Sequence, residues 1–127
     1  MTTFKTIVNV RHPIIFLRES VHFTIPVVDT WDGIWTTSTC VISNCQGEVD
    51  GDAHIALGFG LKQRDSAKLV FDGTIETPSR ALVLETTVEE LTSFQVLNAS
   101  TRVRVWTDGS KHSPYIDFEL VRSTEPT

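Results

Sequence analysis

Only two cysteines, one methionine and one tyrosine occur among the 127 residues. Cys40 and Cys45 alone cannot build the disulfide framework that staples small secreted domains. Long hydrophobic runs are missing too. The longest, around Pro13 to Leu17, is far too short to span a bilayer, so no membrane segment is expected. The opening Met1-Thr2-Thr3-Phe4-Lys5 has neither the apolar core nor the small-residue cleavage site of a secretory leader, which makes the cytoplasm the expected location. Positive charge is also scarce. Eleven Lys and Arg stand against 16 Asp and Glu, a formal net charge of −5. A basic face able to neutralise phosphates is therefore not expected, which argues against direct nucleic-acid binding.

Catalytic signatures are equally thin. His12, His22, His54 and His112 are scattered, and no Gly-x-Ser-x-Gly nucleophile element exists. Gly58-Phe59-Gly60 lacks the third glycine and the following helix of a dinucleotide fingerprint. It reads better as a bulge or a close backbone approach within a strand. Glu48, Asp50 and Asp52, followed by His54, place carboxylates at alternate positions, as a hard cation would require. The ordered ligands and distal Glu of an EF-hand loop are absent, so a solvated turn accounts for them. Cys40, Cys45 and His54 make one loose cysteine pair with no second pair, short of a structural zinc set. No metal, no cofactor and no catalytic group is expected.

What the sequence does contain is period-two alternation. Val21, Phe23, Ile25 and Val27 share one face, and Pro26 marks that segment as an edge strand or a bulge. Ile34 to Ile42 is rich in β-branched residues suited to a pleated surface. Further strands are expected at Phe4 to Val10, His54 to Leu61, Ala67 to Phe71, Arg80 to Thr87, Arg102 to Trp106 and Tyr115 to Val121. Turn residues separate them at Asp32-Gly33, Asp50-Gly51-Asp52, Asp72-Gly73, Thr77-Pro78-Ser79 and Asp108-Gly109. The pattern predicts one all-β domain over residues 1–127, an antiparallel β-sandwich of about eight strands. Thr87-Val88-Glu89-Glu90 fits a capping box, so at most one short helical turn is expected there. The last two strands predict a hairpin with Arg104 opposite Asp117, Arg102 opposite Glu119, Val105 opposite Ile116 and Val103 opposite Phe118. Charges then align on the wet face and apolar residues on the core face.

Candidate binding residues fall into two groups. Glu48, Asp50 and Asp52 occupy one turn, while Glu85, Glu89 and Glu90 lie at a strand end and the turn after it. Trp31 and Trp35, flanking Asp32-Gly33, are the aromatic pair best placed to anchor a partner, with burial of Trp35 in the core as the alternative. Several segments, read in order, resemble the competence protein J family, small β-rich inhibitors of a DNA-entry nuclease. They are Val21-His22-Phe23-Thr24-Ile25, Leu57-Gly58-Phe59-Gly60, Ala67-Lys68-Leu69-Val70-Phe71, and Ser79-Arg80-Ala81-Leu82-Val83-Leu84 with Thr87-Val88. That resemblance implies a non-catalytic inhibitor or immunity-type protein that binds a basic protein such as a nuclease or toxin. The six carboxylates would then contact it, with electrostatic complementarity speeding association. Two other readings stay open: a carbohydrate- or small-ligand-binding β-domain, and a self-associating assembly subunit pairing through the strand at 21–28.

Overall fold

In the computed structural model, residues 3–28 and 33–122 are described. They form ten strands: β1 (Thr3–Val8), β2 (Ile14–Glu19), β3 (Ile34–Thr37), β4 (Cys40–Asn44), β5 (Ala53–Phe59), β6 (Lys68–Glu76), β7 (Ala81–Glu85), β8 (Glu90–Gln95), β9 (Ser100–Thr107) and β10 (Tyr115–Val121). Sheet A has the order β1-β5-β10-β9-β6 and sheet B the order β3-β4-β2-β7-β8. All pairings are antiparallel except β5 with β10, which run parallel. The fold is the expected all-β sandwich, with two strands more than the alternation disclosed. Its core lies between the sheets, where Ile15, Leu17, Val41, Leu82 and Leu84 face Ile55, Leu57, Val103, Val105, Ile116, Phe118 and Leu120. Burial of this continuous apolar layer is the main favourable term in folding.

Four details of the sequence reading are corrected. The segment 21–28 is not a strand. It is irregular, with Pro26 buried and its neighbours exposed, so it cannot serve as the edge for self-association. Thr87 to Glu90 is not helical; it is a tight turn in which the Thr86 hydroxyl accepts from the N–H groups of Val88 and Glu89, and β8 follows directly. Asp72-Gly73 is no turn but lies inside β6, which carries a bulge between Leu69 and Phe71. The hairpin of β9 and β10 exists, yet its register is two residues from the expected one: Glu119 opposes Arg104, Phe118 opposes Val105 and Val121 opposes Arg102. A slip of two keeps every side chain on its expected face. The face with the charges is not fully wet, because Asp117 and Glu119 are both buried.

The topology forces two long crossings. β2 and β3 both run antiparallel to β4, so they point the same way, and the chain must travel the length of sheet B between them. β5 and β6 likewise point the same way, through β10 and β9. The described part of the segment after β2, residues 20–28, lies over the outer face of sheet B, where Phe23 covers Arg18. The segment after β5 lies over the outer face of sheet A, where Arg64 covers Tyr115 and Gln63 donates to Glu119. Beneath the first crossing a second small core forms from Trp35, Cys40 and Ile42, with Ile14 and Phe16 packed against it.

Glu19 ends β2 with no solvent exposure. Its carboxylate accepts from the backbone N–H groups of Val21, His22 and Ser79 and from the Ser79 hydroxyl. Burial opposes its ionisation, but those hydrogen bonds prevail and lower its pKa from an ordinary 4.5 to about 2. A carboxyl with a depressed folded-state pKa contributes stability above its unfolded value, lost as pH falls through the folded one. The protein should therefore lose stability as pH falls from 4.5 towards 2. Glu19→Gln should cost about 2–3 kcal/mol at pH 7 and flatten that dependence, read by urea unfolding across the range. A variant whose pH profile parallels the parent would contradict this role. At Gly73, an added Cβ would sit 2.6 Å from the tip of the Phe71 ring. Gly73→Ala should displace the ring and cost about 1–2 kcal/mol, measurable by thermal unfolding.

Candidate functional site

Adjacent residues of a strand point to opposite faces. Glu19 faces inward, so its neighbour Arg18 faces the outer side of sheet B, under the first crossing. There Arg18 Nε donates to Glu85 Oε1 at 2.7 Å and one terminal nitrogen reaches Glu85 Oε2 and Glu90 Oε1, each at 3.3 Å. The other terminal nitrogen donates to the carbonyls of Glu19 and Ser20. The Phe23 ring lies 4.1 Å from the guanidinium carbon, within cation–π range. The hydrogen bond with Glu85 outweighs burial and holds the Arg18 pKa above its ordinary value. One arginine thus fixes two carboxylates and an aromatic ring.

The register explains why these groups meet. Trp35, Ile42, Phe16, Glu85 and Glu90 form one row across sheet B. The row is apolar and covered at the β3 side, and acidic and open at the β8 side. At the open end is a groove of about 490 Å³ lined by Phe16, Phe23, Ile25 and the turn 85–90. Its apolar wall is unusually bare, with Phe23 and Ile25 each 41% exposed and Val88 at the turn tip 78% exposed. Glu85, Glu89 and Glu90 form the rim, and Arg18 offsets one of their three charges. Exposed apolar area bounded by charge is the usual composition of a protein-binding patch.

Of the residues singled out in the sequence, the structure brings Glu85, Glu89 and Glu90 to this groove. Glu48, Asp50 and Asp52 are exposed on the β4–β5 connection and do not line it. Asp52 accepts from Asn9 there, and the Glu48 N–H donates to Val10. Trp35 is a correction: at 6% exposure it belongs to the second core and offers no face for stacking. Trp31 lies outside the described residues. Sequence reasoning missed Arg18, Phe16, Phe23, Ile25 and Val88. A lone arginine directly after the apolar run 14–17 was the available signal for the first of these.

Other chemistry is sparse. Burial pushes the Cys40 and Cys45 thiols up to about 12, with the charge of Glu85 adding to the effect on Cys40, so both are unreactive. Among the described residues no group of three or more His, Cys, Asp or Glu is arranged to hold a metal ion. No helix among them is long and apolar enough to cross a membrane.

No protein-family model matches the chain, and no curated protein matches it. Two solved structures share its architecture. The crystal structure of ComJ, inhibitor of the DNA degrading activity of NucA, from Bacillus subtilis, matches with a TM-score of 0.74 at 13% identity, over 96% of this chain and 98% of that one. Crocagin biosynthetic gene J matches with a TM-score of 0.58 at 16% identity, over 96% of this chain and 97% of that one. At such identities the likeness is one of fold, and the chain has the fold of the competence protein ComJ.

Proposed function

We propose that this chain is a non-catalytic inhibitor that binds a basic protein, a DNA-degrading nuclease in the first instance, through the acidic groove at the β7–β8 turn. The observation that carries the reading is the coincidence of a bare apolar wall with a carboxylate rim on a fold shared with a nuclease inhibitor. Val88, Phe23 and Ile25 supply desolvating contacts, and Glu89 and Glu90 steer a cationic surface into place. Arg18 keeps the rim preorganised, which limits the side-chain entropy lost on binding. The two buried thiols suit a reducing compartment, and we place the protein in the cytoplasm. Binding of carbohydrate by stacking on Trp35 is disfavoured, since that ring is buried.

The test is affinity capture from the native host, followed by a DNA-degradation assay of the retained protein with and without the chain. A retained basic protein that degrades DNA, and is silenced by the chain, is the expected outcome. Retention of no such activity would overturn the reading. The double substitution Glu89→Lys with Glu90→Lys should slow association about tenfold at low salt, and less at high salt where charges are screened. Val88→Asp should raise Kd about tenfold by placing a charge in the apolar contact. Surface plasmon resonance on the captured partner reads both.

A further inference from the structure

A larger cavity than the acidic groove is present among the described residues. It is a recess of about 600 Å³ on the outer face of sheet A, against the second crossing. Its floor follows from the register. Lys5, Ala56 and Asp117 form one row across β1, β5 and β10, and Ile7, His54 and Tyr115 form the next. Ala56 puts only a methyl group between the Lys5 and Asp117 side chains, so the row is lowest at its centre. Leu61 and Lys62 from the crossing close one side.

The recess runs against the sign of the whole molecule. Its lining contains Lys5, Lys62 and Arg64 with a single carboxylate, Asp117, a formal charge of +2 from Lys, Arg, Asp and Glu in a chain of formal net −5. Asp117 is already engaged: Arg64 Nε and a terminal nitrogen donate to its two oxygens at 3.2 and 3.4 Å. The guanidinium is also stacked 4.3 Å over the Tyr115 ring. These contacts use Nε and one terminal nitrogen of Arg64, and leave the other terminal nitrogen without a carboxylate among the described residues. Among the described residues, neither Lys5 nor Lys62 has a carboxylate partner. Two uncommitted cations, one oriented arginine and a hollow of small-molecule size make a receptor for a dianion. Ile7 and Leu61 add apolar contact at its margin.

We propose that this recess binds a small phosphate monoester. Its two charges match the two lysines, its oxygens accept from Arg64, and its organic part rests on Ile7 and Leu61. The site is separate from the acidic groove, which lies on the outer face of the other sheet, so it stands whether or not the chain is a nuclease inhibitor.

The experiment titrates the full chain with phenyl phosphate, followed by amide chemical shifts in two-dimensional NMR. Inorganic phosphate, phenol and a single-stranded oligonucleotide are run in parallel at matched ionic strength. Saturable shifts at Lys5, Ala56 and Lys62 are expected, with phenyl phosphate tighter than inorganic phosphate and phenol silent. Ala56→Leu, which fills the hollow and leaves all charges in place, should abolish binding. Lys62→Glu, on an exposed side chain that folding does not depend on, should weaken it at least tenfold. Equal shifts with phenol, the absence of saturation, or unchanged affinity in Lys62→Glu would overturn the proposal. Tighter binding of the oligonucleotide than of phenyl phosphate would also overturn it, in favour of a nucleic-acid surface.

Discussion

Two neighbouring charges at the end of the central strand β2 hold the rest of the molecule in place. Glu19 points inward and gathers backbone donors from the turn after β2 and the turn before β7. Arg18 points outward and gathers Glu85, Glu90 and Phe23. A buried carboxylate or guanidinium is tolerated only when its hydrogen-bonding capacity is met. Each of these groups meets that condition by recruiting segments distant in sequence, so the requirement for satisfaction itself fixes how the loops sit on the sandwich. The acidic groove is a by-product of this arrangement, for the same arginine that needs partners sets the spacing of the rim.

Both outer faces of the sandwich are built by one topological rule. Strands that point the same way within a sheet need a crossing connection, and here each crossing lies on the outside of the sheet it serves. On sheet B the crossing leaves apolar side chains bare beside carboxylates. On sheet A it carries arginine and lysine over a row containing a single small residue. The groove on one face and the recess on the other thereby carry lining charges of opposite sign, although the chain as a whole is acidic. Net charge alone averages away this separation.

Alternation of apolar residues revealed the sheets and most strands, because one face of each is the common core. It missed β2 because Ile14 to Leu17 is covered on both sides, by the core and by the crossing, and a doubly buried strand reads as a continuous run. The segment 21–28 shows the opposite failure. It alternates well, yet Thr24 bonds through its backbone to the hydroxyls of Thr37 and Thr39 rather than to a neighbouring strand. The β9–β10 faces were legible from charge pairing, but the register was not, since tertiary partners such as Arg64 and Trp106 claim the carboxylates. For the site, the three glutamates of the β7–β8 turn were legible as a local cluster. Their joining to Phe23 and Arg18 was not, because it depends on a crossing whose path sequence periodicity does not encode.

The position of β10 has a consequence for how the protein is made. Residues 115–121 form the middle strand of sheet A, between β5 and β9, after nine other strands have been laid down. During synthesis the edge pair β1–β5 must therefore wait, with one side of β5 unpaired, until residue 121 clears the ribosome. Contacts this distant in sequence slow folding. An exposed strand edge is meanwhile open to pairing with other chains. Sheet B completes at residue 95, so one half of the sandwich is ready as a template on which the other half closes last.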